Sequence, residues 1–163
     1  MKARTMRASR PVLLAIAFLS LLLLGVALYL QHVKDMPPCP LCVMQRYAFA
    51  ALAIICLVAA TRAESGRRIG AGLGFAAALT GAAIAGHHVW LMAHPGTSCG
   101  IDPLETPLNN IPTARLLPFL FQADGLCTTE YPPILGLSIP QWSFAWLALF
   151  AVALAIATLR RAK

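Results

Sequence analysis

Residues 37–61 read PPCPLCVMQRYAFAALAIICLVAAT. Pro37, Pro38 and Pro40 keep a helix from running through the start of this stretch, because proline lacks an amide donor and clashes with the preceding turn. Proline is tolerated in the first turn of a helix, so a helix is expected to begin around residues 40–42. It continues into the apolar run 43–61, close to the roughly 20 residues needed to cross a bilayer. Cys39 and Cys42 then sit at the mouth of a membrane span. A thiolate there is stabilised by the positive end of the helix dipole. Arg46 follows Cys42 by four residues and shares its helix face. A charge inside a membrane helix is costly and marks a functional position. Arg46 is suited to favour the Cys42 thiolate and to hydrogen-bond an electron-rich ligand beside it.

Three further apolar runs cover 11–30, 69–92 and 140–159. The chain of 163 residues is 59% hydrophobic and 12% charged, against about 25% charged in a typical globular protein. Lipid must therefore solvate much of it. The expected fold is all-α: a single integral membrane domain over 1–163, a four-helix transmembrane bundle with short loop 31–42 and long loop 93–139. The first run is longer than the roughly 7–15 residues of a signal-peptide core and lacks a clear small-residue cleavage site, so it is read as a retained helix. The third run carries Gly70, Gly72, Gly74, Gly81 and Gly86, small residues that let membrane helices pack closely. It is no phosphate loop, since no strand precedes it.

The net charge of +7 is gathered in clusters between the apolar runs, which excludes a nucleic-acid face and reads as topology. Lys2, Arg4, Arg7, Arg10, Arg62, Arg67, Arg68, Arg160, Arg161 and Lys163 are ten of the 13 Lys and Arg residues. All lie on one side of a four-span chain, and the positive-inside rule makes that side cytoplasmic, with both termini. The loops holding Cys39, Cys42, Cys99 and Cys127 face outward, where disulfides persist.

A zinc site would need two tight ligand pairs, and Cys99 and Cys127 are too far apart in sequence to be one. No metal is expected. Haem attachment requires His after the second cysteine; Val43 stands there. Cys56, in the middle of a span, is expected to pack as a small apolar residue. Cys99 and Cys127 could form a structural disulfide, worth about 3–4 kcal/mol in the chain-entropy view. Two cysteine pairs on one side also suggest a relay, since thiol–disulfide exchange moves electron pairs through mixed disulfides. Electrons would pass from a protein dithiol to Cys99–Cys127, then to Cys39–Cys42, then to a two-electron carrier dissolved in the bilayer, for which a quinone is the natural candidate. The loop is rich in proline; its segment 113–122 is expected either to lie on the outer leaflet as a short interfacial helix, limited by Pro118, or to pack against the bundle.

Several stretches together resemble the disulfide bond formation protein B (DsbB) family over nearly the whole chain. They are Gln31-His32-Val33, Cys39-Pro40-Leu41-Cys42 with Gln45-Arg46, His88-Val89-Trp90-Leu91, Cys99-Gly100, Gly125-Leu126-Cys127, and Gly136-Leu137-Ser138-Ile139-Pro140-Gln141-Trp142. The resemblance implies a four-helix bacterial inner-membrane protein that reoxidises a periplasmic thioredoxin-fold oxidase of the DsbA type. It implies redox roles for Cys39, Cys42, Cys99 and Cys127, with Cys99 attacked by the partner. Cys42 would face the quinone, ubiquinone or menaquinone, and Arg46 would bind it, with His94 a further candidate near it. Members often carry Glu where this chain has Gln45. His87 and His88 are read as residues of the membrane–water interface, and Trp90 and Trp142 as aromatic-belt anchors. A four-helix membrane disulfide or quinone reductase, and a structural or metal-binding membrane protein, are the competing readings.

Overall fold

The computed structural model describes residues 10–94 and 104–159; Cys99, one of the four expected redox cysteines, lies outside the described residues. Four long helices dominate: α1 (Arg10–Val33), α2 (Pro40–Ala60), α3 (Glu64–Ala93) and, after three short ones, α7 (Ile139–Leu159). Each is long and apolar enough to cross a membrane. At 1.5 Å per residue, the 21 residues of α2 cover the roughly 30 Å of hydrocarbon. The expected all-α four-helix transmembrane bundle is therefore the fold. The helices outrun the apolar runs at several ends, most clearly where α3 starts at Glu64 rather than at residue 69. Hydropathy marks the part of a helix that sits in lipid, while the hydrogen-bonded ladder continues into the polar boundary.

The starts of α2 and α7 follow from local chemistry. Cys39 is the N-cap of α2: its backbone is extended, and its sulfur accepts the Cys42 amide at 3.3 Å. That is the task a serine or aspartate oxygen usually performs. Ahead of α7, the Gln141 side chain accepts the Ser138 amide at 2.8 Å, one arm of a capping box.

Packing runs in sequence order: α1 on α2, α2 on α3, and α3 on α7. Leu13, Leu52, Cys56, Leu147 and Leu154 are wholly buried in the shared core, so Cys56 packs as expected. Phe49 meets Phe150 edge to face at 6.5 Å. The buried face of α3 is a stripe of small residues, including Gly74, Ala78, Gly81 and Ala85. A Cβ on Gly81 would come within 2.7 Å of the Ala48 Cβ, so only glycine permits this approach of α3 to α2. Phe18, Ile54, Leu73 and Val152 point outward and exposed, as a lipid-facing surface requires. Contacts between α1 and α7 are sparse, and this seam leaves room for a cavity.

The long loop holds α4 (Glu105–Asn109), α5 (Pro112–Leu116) and α6 (Pro118–Phe121). Segment 113–122 is thus two helical turns broken at Leu117, because a residue before proline is driven out of the helical region. One face packs against the bundle, as the second expectation has it. Ala114 and Phe121 pack on Val43 of α2, whereas Leu116 and Phe119 face outward. The Tyr47 ring stacks on Phe121 with centroids 4.2 Å apart. The Asn109 side chain then brackets Ala123, donating to its carbonyl at 2.9 Å and accepting its amide at 2.8 Å.

The next residues seat the loop on the start of α2. The amides of Asp124 and Gly125 both donate to the Pro38 carbonyl, at 3.0 and 3.1 Å, and the Tyr131 hydroxyl donates to the Pro37 carbonyl at 3.0 Å. A Cβ on Gly125 would lie 2.5 Å from the Pro37 carbonyl oxygen, closer than real atoms pack. This glycine lets the two backbones touch and carries Cys127 into a buried cluster with Cys39 and Leu41.

Gly125→Ala is expected to lift this segment away while leaving the bundle intact. Mild oxidation should then give several-fold less Cys39–Cys127 cross-link than in the parent chain, with thermal unfolding in detergent little changed; an equal cross-link yield would contradict the docking. The Ser20 hydroxyl is buried in α1 without a hydrogen-bond partner among the described residues, at a cost of order 1–3 kcal/mol. Ser20→Ala should raise the unfolding midpoint in detergent, and a fall would show that the hydroxyl is used.

Candidate functional site

The start of α2, the end of α3 and the docked loop bring two thiols, an imidazole and a guanidinium together. Cys39 and Cys42 lie one helical turn apart, and the Cys39 thiol donates to the Cys42 sulfur at 3.1 Å. Cys39 is buried, whereas Cys42 is half-buried. The Cys39 sulfur also hydrogen-bonds Cys127. These bonds, the one to Cys127 first and the one to Cys42 second, together with burial hold the Cys39 thiol well above its ordinary pKa. Cys39 thus keeps its proton.

His88 closes the group from α3. Only 3% of it is exposed, so it is a core residue and not the interfacial histidine its position near the helix end suggests. Nε2 lies 3.1 Å from the Cys127 carbonyl oxygen. A carbonyl only accepts, so Nε2 carries the proton. Nε2 also lies 3.7 Å from the Cys39 sulfur. Nδ1 is left with a lone pair, 3.9 Å from the Cys42 sulfur and 3.3 Å from Gln45 Nε2, which donates to it. Among the described residues, the ligand atoms of Cys39, Cys42 and His88 lie within 4.8 Å of one another, three donors where a structural zinc site takes four.

Arg46, 6% exposed, reaches across from α2. Its Nη1 donates to Gln31 Oε1 at 2.6 Å and to the Leu120 carbonyl at 2.9 Å, and its Nη2 donates to the Ala27 carbonyl at 3.4 Å. All three acceptors are neutral oxygens. They fix the guanidinium without cancelling its charge, leaving its field available to a thiolate or an electron-rich ligand.

Cys42 and Arg46 both line a cavity of about 250 Å³ between α1, α2 and α7. Leu23, Ala27 and Leu30 form its α1 wall, Phe49 lies deeper on α2, and Trp142 and Trp146 form the α7 wall. Cys39, His88 and Tyr131 also border it. The Trp142 indole donates to the Ile134 carbonyl at 2.8 Å, so Trp142 is anchored to the loop at the cavity rim. The cavity is overwhelmingly apolar and lies along the sparse α1–α7 seam.

Of the residues singled out from the sequence, Cys39, Cys42, Cys127 and Arg46 converge here, and Cys99 lies outside the described residues. His94 sits elsewhere: it is exposed, its ring stacks on Trp90 at 4.6 Å, its Nδ1 donates to the Trp90 carbonyl at 2.9 Å, and it does not line the cavity. Sequence reasoning gave no site role to His88, Gln45 or Tyr131. A signal for His88 was present, because the small-residue stripe Gly74, Ala78, Gly81, Ala85 reaches position 88 at the same three-to-four spacing.

The family model for the disulfide bond formation protein DsbB matches residues 9–157. A disulfide bond formation protein B of Herminiimonas arsenicoxydans is 67% identical over 147 residues, covering 90% of this chain and 93% of its own length. Proteins of that name from Cupriavidus necator and Ralstonia nicotianae are 51% and 48% identical, covering 95% and 94% of this chain and 96% of each relative. The chain belongs to the DsbB family of disulfide bond formation proteins.

Proposed function

We propose that this protein oxidises the dithiol of a periplasmic thioredoxin-fold oxidase of the DsbA type and passes the electron pair through Cys99–Cys127 and Cys39–Cys42 to a quinone, ubiquinone or menaquinone, dissolved in the bilayer. The observation that carries this reading is the half-buried Cys42 sulfur beside Arg46 in the wall of an apolar cavity on the α1–α7 seam. At about 250 Å³ the cavity is smaller than the roughly 300–1,000 Å³ of sites that enclose whole ligands. It suits a planar head group whose apolar tail stays in lipid.

The orientation follows from charge. The start of α1, the α2–α3 turn and the end of α7 share one end of the bundle, where Arg10, Arg62, Arg67 and Arg68 lie. Lys and Arg mark the cytoplasmic side of an inner membrane. The dithiol and the docked loop then stand at the periplasmic side, in an oxidising compartment.

The chain's own residues account for the exchange between pairs. With Cys39–Cys42 oxidised, a Cys127 thiolate attacks the Cys39 sulfur; the Cys39–Cys127 bond forms, the Cys39–Cys42 bond breaks, and its electron pair leaves on Cys42. Burial of Cys39 beside Cys127 makes it the sulfur that loop thiols reach. Cys42, on the cavity wall, is the sulfur that a membrane acceptor reaches. The helix N-terminus and the Arg46 charge both favour the departing thiolate. A bound quinone would supply the capacity to take two electrons and two protons, and Arg46 would orient one of its oxygens.

Purified protein, reduced partner oxidase and quinone, followed by quinone absorbance, test the reading. The parent chain should reduce quinone catalytically and Cys42→Ser should not; reduction by Cys42→Ser at the parental rate would overturn the route. Arg46→Ala should raise the quinone KM by about 10–100-fold, the value of a hydrogen bond to a charged group, while disulfide exchange with the partner continues. Unchanged KM and turnover would remove Arg46 from the site.

A further inference from the structure

The entry to α7 carries more charge-free chain than a span needs. The 21 residues of α7 already cover the roughly 30 Å of hydrocarbon at about 1.5 Å per residue. Yet no charged residue stands between Glu130 and Arg160, so the charge-free stretch also takes in 131–138. Residues 132–137 are all exposed. Within them Ile134 and Leu137 exchange amide–carbonyl hydrogen bonds of 2.9 and 3.2 Å, closing a two-residue turn. Its central residues, Leu135 and Gly136, have φ of 52° and 84°, as the mirror-image hairpin turn demands. Asn-Gly or Asp-Gly suits such a turn in water, whereas leucine is strained at positive φ. Asp35, with φ of 50°, is the ordinary kind of occupant. Leu135 is also 89% exposed. In water, backbone strain and apolar exposure would both count against this residue.

We infer that the 134–137 turn is a lipid-contact lip, with the Leu135 side chain inserted among the acyl chains of the leaflet at the dithiol end of the bundle. Insertion removes the side chain from water, and that gain offsets the strain of its backbone. The backbone suits this depth, because amides and carbonyls near lipid must be paired within the protein. Pro132 and Pro133 bring no amide, and Ile134 and Leu137 satisfy each other. The Ser138 amide is taken by Gln141, and its carbonyl accepts the Trp142 amide at 3.0 Å. Insertion is shallow, of the order of 5–10 Å as for interfacial segments, so the tip backbone stays at head-group level within reach of water. The Trp142 indole, bonded to the Ile134 carbonyl at 2.8 Å, ties the lip to α7 at the level where tryptophan belts sit. The lip continues the exposed apolar face of α7 formed by Phe144, Leu149 and Val152. That continuity and the missing charge favour lipid over a protein partner. Ile134 and Leu135 also border the cavity, so its mouth on this side opens among acyl chains. The lip stands independently of the electron route.

The test uses the full chain in nanodiscs of palmitoyl-oleoyl phosphatidylcholine, with the photoreactive residue p-benzoylphenylalanine placed singly at position 135, 18 or 130. Phe18 is exposed on the lipid-facing surface of α1, and Glu130 is an exposed charge just ahead of the lip. After illumination, phospholipid adducts are counted by peptide mass spectrometry. Position 18 calibrates the yield in lipid, and position 135 should give at least about ten times the adduct of position 130, as an inserted side chain requires. Equal yields at 135 and 130 overturn the proposal. So do adducts that move from lipid to protein when the partner oxidase is added, which would make the turn a protein-docking site. Because the bulky probe could disturb the turn, methyl NMR of the unsubstituted chain gives a second measurement, with the Leu135 signals assigned by their loss in Leu135→Val. Those methyls should be broadened by a phospholipid carrying a nitroxide high on its acyl chain and spared by a water-soluble gadolinium chelate. The reverse pattern overturns the proposal. Neither measurement uses quinone turnover, so the lip and the electron route can fail separately.

Discussion

A single carbonyl, that of Pro38, accepts the amides of both Asp124 and Gly125, and the site is assembled around that contact. Pro37, Pro38 and Pro40 keep the chain extended up to Cys39, so the carbonyls of this stretch have no helical partners and remain open to the loop. Gly125, lacking a side chain, lets the loop come down on them. Chain geometry then positions the residues just beyond Gly125: Cys127 two residues on beside Cys39, its carbonyl on His88, and Tyr131 on Pro37. The bundle supplies the rest of the surroundings without needing the loop. Its core of Leu13, Leu52, Leu147 and Leu154 lies among the long helices, while the docking contacts cluster at one end.

Electrostatics at that end are arranged in one direction. The α2 N-terminus and the Arg46 guanidinium both present positive charge to the Cys42 end of the dithiol. Cys39 is buried among sulfurs and held protonated. Two cysteines three residues apart thus differ in surroundings: Cys39 is buried against sulfur from the loop, and Cys42 is half-buried in the cavity wall. Arg46 is tethered by neutral oxygens, two on α1 at Ala27 and Gln31 and one on α6 at Leu120, and keeps the charge that a carboxylate partner would neutralise. A buried charge is expensive, and three hydrogen bonds offset part of that cost.

Much of this was legible in the sequence because membrane constraints are blunt. Four apolar runs fix four spans, Lys and Arg clusters order their ends, and three prolines fix where α2 starts. Shared placement of Cys42 and Arg46 on one face follows from their spacing alone. The partnership of Cys39 with Cys127 was less legible. It depends on the path of a proline-rich loop, which turns on one close glycine approach and one bracketing asparagine, Asn109, neither carrying a periodic signal. His88 was hidden for another reason. A histidine near a helix end is usually at the interface, and its burial shows only when the small-residue stripe of α3 is followed into the last turns. His94, by contrast, stands outside that stripe and does not reach the cavity.

The electron route requires a bilayer-dissolved acceptor to be held on the Cys42 side of the α1–α7 seam. Photolabelling with an azido-quinone in lipid nanodiscs, mapped by mass spectrometry, tests this most directly. Labels should fall on the cavity wall, at residues such as Leu30, Trp142 and Trp146, and should be lost when excess unlabelled quinone competes. Competed labelling confined to the opposite end of the bundle, around Arg68 and Thr158, would contradict the route.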